Sequence, residues 1–389
     1  MAEYLIQDTT LSNIADEIRI LYGTEDTMTP AVMTNQLGNA NTEVDEQTDL
    51  IKRIKIELGL IRIAMVPGEW THIDVVVNEG GYKDTFSCVY NYNNIWVASG
   101  QGNNGFYYSI DGINWTRSNM TSGSFCDIYC YNGIWVACAI NDNGIYYSTD
   151  GINWTQSNMT SGNFGKVFNA NGIWVAGGTM DNGICYSTDG MNWTQSNMTS
   201  GNFSNIYYAD GVWVGGTDNN NICYSTDGIN WVIANSRPTN ISFSKVFNAN
   251  GIWVACSSGN GICYSTDGMN WARSNMTSGS FSCVYYADGV WVAGGYNKIH
   301  YSTDAINWNA SNITSGNFSC VYNSNGIWIA GCKATNIGIY HSTDGMTWTQ
   351  SNITNGYFSE FYYADDIFVA AGTNGLHYLE LIEQEIETT

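Results

Sequence analysis

The chain has 389 residues, with 35 Asp plus Glu against 13 Lys plus Arg, a formal net charge of -22 and three prolines. That balance repels phosphate and anionic head groups, and no local basic patch offsets it, so nucleic acid and anionic membrane are excluded as expected partners. Charged residues make up 12% and aromatics 14%, with 42 glycines, a composition of strands and tight turns rather than of disorder or long surface helices. No apolar run is long enough for membrane insertion, and Met1-Ala2-Glu3-Tyr4 begins neither a positive n-region nor an apolar h-region, so synthesis without a signal peptide is expected.

In chain order, residues 1–60 come first and differ in composition from the rest, holding 11 of the acids. Ser12 can cap a helix carrying Ile14, Ile18 and Leu21, with Gly23 at its end, and Thr29-Pro30 can start a second one running to Leu37. Val44, Ile51 and Leu58 then fall seven apart, with Ile54 and Ile61 at the complementary positions, as in a short heptad helix. Such a helix could set a homo-oligomer, a trimer among the candidates, or pack as a plain amphipathic helix. Next comes Glu69-Trp70-Thr71-His72-Ile73-Asp74-Val75-Val76-Val77, a Trp followed by β-branched residues.

From Phe86 onward the chain repeats itself. Tyr147-Ser148-Thr149-Asp150-Gly151-Ile152-Asn153-Trp154 returns nearly unchanged to Trp348, at a period of 37 to 40 residues. A second landmark, the Trp of Ile-Trp-Val-Ala, recurs from Trp96 to Trp328 with Phe368 in an eighth place, and a Phe opens each copy from Phe86 to Phe358. Within a copy, four short runs are separated by turn residues, which is the pattern of a propeller blade. The eighth copy has three strands and no fourth. The fold expected is therefore all-β, an eight-bladed β-propeller of four-stranded blades over residues 61–389, with repeats from 86 to 379 and closure by 69–77. Seven blades with a stray edge are the alternative. A small helical segment, 1–60, precedes it.

The Ser-Thr-Asp-Gly-x-x-Trp hairpins, with Asp111, Asp150, Asp189, Asp227, Asp267, Asp304 and Asp344, resemble the Asp-box hairpin of sialidases, sortilin-type receptors, photosystem assembly factors and many phage or surface propellers. They depart from the commonest form by one residue, Gly following Asp directly. These aspartates suit a structural role, because a carboxylate can accept backbone N–H groups of its own turn. Sialidase chemistry would need an arginine cluster, a Tyr with a Glu partner and an Asp acid at the ring centre. The repeats hold only Arg117, Arg237 and Arg273, two of them in the outer-strand register where other copies carry Gln. No enzyme activity, no metal and no cofactor is expected. The cysteines read as packing: Cys88, Cys283 and Cys320 share one register, and Cys185, Cys223 and Cys263 another.

Internal repeats also show which positions vary among copies. The loops between strands two and three differ strongly, and the connection from strand four to the next blade differs once, at Asn235 to Asn240. In an up-and-down blade both sets emerge on one face. The candidate ligand-binding residues are Asn103, Asn104, Asn141, Asp142, Asp181, Asp218, Asn219, Arg237, Lys298 and Lys333. Short polar side chains on loops over a rigid scaffold suit a glycan or a polar protein epitope.

The opening Leu5-Ile6-Gln7-Asp8-Thr9-Thr10-Leu11-Ser12-Asn13-Ile14-Ala15-Asp16-Glu17-Ile18-Arg19, followed by Met28-Thr29-Pro30-Ala31, resembles the N-terminal segment of tail and tail-fibre proteins of phages and prophages of Gram-positive and gut bacteria. The resemblance covers about forty residues. It implies an attachment module that joins other tail proteins, followed by a receptor-binding head for a bacterial cell-surface glycan or protein. The place implied is the virion tail, outside the cell after release from the bacterial cytoplasm. The alternatives from other classes are a glycan-cleaving propeller enzyme and an intracellular assembly scaffold.

Overall fold

The computed structural model describes residue 52 and residues 61–75, 85–100, 104–141, 143–179, 182–217, 221–238, 241–333 and 337–387. The helices and heptad expected within residues 1–60 therefore lie outside the described residues, Lys52 apart, while Ile61, expected at the end of the heptad helix, instead begins the strand Ile61–Pro67. By contacts the chain divides into one unit of Pro67–Leu381 and a second of Met1–Val66 with Ile382–Thr389. Strand Ile61–Pro67 pairs with the long strand Gly375–Glu387. Among the described residues no helix is long and apolar enough to cross a membrane.

Pro67–Leu381 is an eight-bladed propeller of antiparallel four-stranded blades. Blade 3 shows the common plan: Asn163–Ala170 innermost, then Ile173–Thr179, Ile184–Ser187 and the two-residue outer strand Thr194–Gln195. The first hairpin turns through Asn171 and Gly172, at φ 52° and 79°, the two left-handed residues of a type I′ turn that matches strand twist. The third-to-fourth turn is organised by side chains. The Ser187 hydroxyl donates to Asp189 Oδ1 and accepts the Gly190 N–H, both at 2.9 Å, while Met191 and Asn192 N–H groups donate to Asp189 Oδ1 at 2.8 and 2.7 Å. Trp193 then folds back over the turn and donates its indole N–H to Gly190 O at 3.0 Å. Gly190 stands at φ 77°, and a Cβ there would lie 3.0 Å from Ile134 Cγ2 of the preceding blade and 3.2 Å from Trp174 Nε1. The turn thus packs into the seam between blades, and in blade 6 Ala305 occupies the same place at φ 62°.

The eighth blade comprises Phe358–Ala364, Ile367–Gly372 and the start of Gly375–Glu387, completed by Thr71–Ile73 from the other end of the chain, with Thr71 opposite Tyr378 and Ile73 opposite Leu376. Trp70 takes the place of the hairpin Trp and is 3% exposed. No Ser-Thr-Asp-Gly turn precedes it, so its indole Nε1 has no carbonyl to donate to and is unpartnered.

Two devices join neighbouring blades. Asn158, in the connection leaving blade 2, donates to Trp193 O at 3.0 Å and accepts the Trp193 N–H at 2.7 Å. Asn119, Asn312 and others repeat this, and Asn352 makes the same pair of bonds to Trp70, at 2.9 and 3.0 Å, which ties blade 7 to the closing strand. Blade 5 departs from the pattern: the Trp271 N–H donates to the Ser236 carbonyl at 2.8 Å. The second device is aromatic. The fifth residue of each inner strand meets the second-strand Trp of the next blade edge-on, as Tyr129 meets Trp174 at 6.2 Å, and Tyr362 of blade 8 meets Trp96 of blade 1 at 6.0 Å. Tyr322 meets Phe368 at 6.3 Å, so the Phe that replaces Trp in the eighth copy keeps the contact.

Candidate functional site

The variable loops are held by the scaffold beneath them. In blade 2 the Gly144 N–H donates to Gly162 O at 3.0 Å, which joins the second-to-third loop to the connection leaving that blade. The outer-strand Gln156 reaches both elements, donating to Asn143 O at 2.9 Å and Thr160 O at 3.2 Å. Arg117 does the same in blade 1, to Asn104 O at 3.4 Å and Thr121 O at 2.6 Å. Arg237 is also engaged, with Ala234 O at 2.8 Å and Asn221 Oδ1 at 2.9 Å, so it fastens the long connection of blade 4. Of the candidate residues, Asn141, Lys298 and Lys333 are exposed and Asn104 is half-buried. The Lys333 ammonium lies 5.6 Å from the Tyr357 ring centre. Tyr296, which was not among the candidates, is 61% exposed beside Lys298. Asn103, Asp142, Asp181, Asp218 and Asn219 lie outside the described residues.

The seven hairpin aspartates are occupied by their own turns. Burial alone would raise the Asp189 carboxyl, but hydrogen bonds from Asn192 backbone and side chain, Met191 and Ser187 outweigh it and lower the pKa to about 2. Asp111, Asp150, Asp227, Asp267 and Asp304 reach the same value, and Asp344, followed by Thr347 in place of Asn, is lowered too.

A second site lies at the centre of the ring, where the inner strands surround a cavity of about 520 Å³. Every inner strand carries a bulge after its opening Phe, as between Phe164 and Lys166. A bulge interrupts strict alternation, so the second and third residues of these strands, such as Gly165 with Lys166 and Ser244 with Lys245, both line the cavity. The second residue is mostly Ser and ties blades together: Ser244 donates to Phe281 O at 2.6 Å, Ser319 to Phe358 O at 2.5 Å, and Ser359 to Phe86 O at 3.3 Å across the closure. In blade 2 the Cys126 thiol substitutes, donating to Phe164 O at 2.9 Å.

The third residue differs from blade to blade. From blade 1 to blade 8 it is Cys88, Asp127, Lys166, Asn205, Lys245, Cys283, Cys320 and Glu360. Lys166 Nζ stands 2.6 Å from Asp127 Oδ1, whose other oxygen accepts the Val167 N–H at 2.8 Å. Asn205 Oδ1 accepts the Val246 N–H at 3.1 Å. Burial works against the Lys166 ammonium, but Asp127 and Glu360 outweigh it and hold its pKa above the usual range. For Lys245 burial and the neighbouring Lys166 both push the pKa down. Burial pushes the Glu360 carboxyl up, with Lys166 pulling it back. One donor atom each from Cys88, Asp127 and Glu360 lies within 4.8 Å of the others. Lys166 already supplies the positive charge there, and burial pushes the Cys88 thiol well up, so the trio is a poor fit for a metal ion.

Two residues further along each strand, Tyr90, Tyr129, Phe168, Tyr207, Phe247, Tyr285, Tyr322 and Tyr362 form an unbroken aromatic collar. Their ring centroids follow one another at 5.4, 4.8, 5.3, 5.0, 5.1, 5.4 and 6.3 Å, closing with Tyr362 to Tyr90 at 4.8 Å.

The sequence reading missed this central site. It treated the register of Cys88, Cys283 and Cys320 as packing; Cys88 and Cys283 do sit in core clusters, and Cys283 and Cys320 also line the cavity, in the register that holds Asp, Lys, Asn and Glu in other blades. The signal was present: these residues interrupt an otherwise apolar strand at one fixed repeat position. The remaining cysteines fit the packing role, Cys138, Cys185, Cys223, Cys256 and Cys263 being fully buried, and all eleven are free thiols.

No protein-family model matches the sequence, and no curated protein matches it. Solved structures do match. The computationally designed Ika8 protein aligns with a TM-score of 0.62 at 13% identity, over 78% of this chain and 98% of that one. Sqt1 of Saccharomyces cerevisiae aligns at 0.60 and 9% identity, over 82% and 99%. YCF48 from Cyanidioschyzon merolae aligns at 0.53 and 13%, over 80% and 98%. At such identities the likeness is one of propeller fold, which is compatible with binding and with scaffolding alike.

Proposed function

We propose that this chain is a non-catalytic binding protein of the phage-tail receptor-binding kind, whose propeller recognises a bacterial surface glycan or protein through its second-to-third and fourth-to-first loops. The observation that carries the reading is the contrast within each repeat. Turns, seams and clamps recur from blade to blade, while the second-to-third loops clamped by Arg117, Gln156 and their equivalents differ in every copy and the fourth-to-first connection differs once, at Asn235 to Asn240. A rigid frame with variable polar tips is the arrangement by which loops acquire specificity without loss of stability. Tyr296 at 61% exposure, with Lys298 and Lys333 exposed nearby in the repeat order, supplies aromatic and cationic anchors on that face. The N-terminal resemblance to tail proteins supplies the setting: attachment to other tail proteins through residues 1–60, a homo-oligomer as the working form, and action outside the bacterial cell.

The test is binding of the full chain to a broad panel of bacterial cells and to polysaccharide stripped from them. Saturable binding is expected on at least one host, reduced at least tenfold in a Tyr296→Ala, Lys298→Ala, Lys333→Ala triple variant and without release of sugar fragments. Absence of binding across the panel would overturn the reading, and fragment release would transfer it to a glycan-cleaving enzyme.

A further inference from the structure

The polar ring at the base of the central cavity is sorted by charge around its circumference. Consecutive blades 3, 4 and 5 contribute Lys166, Asn205 and Lys245, whereas blades 8 and 2 contribute Glu360 and Asp127, with Cys88 of the intervening blade buried beside them. Lys166 and Asp127 satisfy one another where the two arcs meet, at 2.6 Å. That leaves Lys245 on one side and Glu360, which accepts a hydrogen bond from the Cys88 thiol, on the other, and among the described residues neither has an ion-pair partner within 4.0 Å. Asn205 has committed its Oδ1 to Val246 N–H, so its remaining hydrogen-bonding group is the NH₂ donor. A buried cation beside an amide donor is the pairing that a carboxylate satisfies with charge-assisted bonds. The opposite arc offers acceptors. Above both arcs stands the aromatic collar, whose faces suit a carbon skeleton or an ammonium group.

We propose that the central cavity binds a small organic carboxylate that carries a hydrogen-bond donor, an ammonium or a hydroxyl, at its other end. The carboxylate is held by Lys245 and Asn205, the donor by Glu360, and the skeleton lies against the collar. The volume, about 520 Å³, falls in the range of roughly 300–1,000 Å³ typical of small-molecule sites. The arrangement is independent of the outer loop face and of whatever surface those loops engage.

The experiment is calorimetric titration of the full chain with γ-aminobutyrate, D-glucuronate, butyrate and D-glucose. The first two carry both groups and differ in the source of the donor, butyrate lacks the donor, and glucose lacks the carboxylate. Saturable binding is expected for γ-aminobutyrate or D-glucuronate, with butyrate at least tenfold weaker and glucose silent. Lys245→Gln is expected to weaken the productive ligand by about 10- to 100-fold, the usual consequence of losing a charge-assisted hydrogen bond. Glu360→Gln is expected to affect γ-aminobutyrate more than D-glucuronate if both bind. Silence of both bifunctional ligands, equal affinity for butyrate, or unchanged affinity in Lys245→Gln would overturn the proposal. Should Lys245→Gln fail to fold, the four-ligand series on the unmodified chain decides it.

Discussion

Replacing Asn352 by Ala removes the two bonds that hold the closing strand to blade 7, Asn352 Nδ2 to Trp70 O at 2.9 Å and Trp70 N–H to Asn352 Oδ1 at 3.0 Å. Each such bond contributes about 1 kcal/mol net, so the local loss is about 2 kcal/mol. Asn158→Ala removes an equivalent pair from Trp193, at 3.0 and 2.7 Å, and is the reference. The two sites differ in what remains. Trp193 continues a blade built from one stretch of chain, while Trp70 leads into Thr71–Ile73, which is paired to blade 8 at three positions only. If that strand lifts away, Trp70 and Ile73, now 3% and 5% exposed, lose their burial as well, a term of up to about 4 kcal/mol for the Trp. Asn352→Ala is therefore expected to cost about 2–6 kcal/mol in urea denaturation, against about 2 kcal/mol for Asn158→Ala. Amide exchange at Leu376 and Tyr378 should accelerate in the former alone. A cost below about 0.5 kcal/mol for Asn352→Ala, or equal exchange in the two variants, would refute the view that this clamp fastens the ring.

Acid should weaken the propeller through its turns. The hairpin aspartates have folded pKa values of about 2 against an ordinary 3.8, so their contribution is complete above pH 4 and is lost as pH falls through about 2. Each carboxylate is largely exposed, and solvent screening reduces its share to well under about 1 kcal/mol; a melting temperature that stays flat from pH 5 to pH 2 would contradict the turn energetics. Asp127→Ala strands the Lys166 ammonium and should cost about 3–5 kcal/mol, most of it recovered in the Asp127→Ala, Lys166→Met double variant; chemical denaturation of the set checks the coupling. Gly190→Ala places a methyl at φ 77° and 3.0 Å from Ile134, with an expected cost of about 1–2 kcal/mol. That Ala305 occupies the equivalent turn at φ 62° bounds the penalty, and loss of folding in Gly190→Ala would show the bound to be wrong.

The repeated architecture was legible because each invariant residue has a single mechanical duty. Trp154 covers a turn, Trp135 fills a seam, and Phe125 opens an inner strand, so their common period reports the blade directly. The eighth blade was readable too, since Trp70 followed by β-branched residues matched what the last copy lacked. The central site was harder to see for two physical reasons. The bulge puts Ser244 and Lys245 on the same side, where period-two alternation would separate them. The residues that meet at the cavity also come from strands far apart in the chain, Asp127 and Glu360, 233 positions apart, being neighbours only once the ring has closed. Positions that vary among copies look like drift in a repeat comparison, yet the third inner-strand residue brings Asp127, Lys166, Asn205, Lys245 and Glu360 from five blades to a single shared space. On the loop face, Arg237, a lone cation in a variable connection, is bonded to Ala234 and Asn221 and so also fastens that connection, a duty its position in the sequence did not show.

The pairing of Thr71 with Tyr378 also sets the order in which the molecule can be made. During synthesis seven blades can form in turn as they emerge, each docking on the one before it. The eighth must wait until the strand beginning at Gly375 has left the ribosome, and throughout that interval residues 70–73 have no sheet to join. The growing chain is thus an open arc with two exposed strand edges until that strand is available, and only then a ring. Its most vulnerable state to edge-to-edge association precedes ring closure, and a chain truncated before Gly375 should aggregate where one that includes Gly375–Leu381 should not.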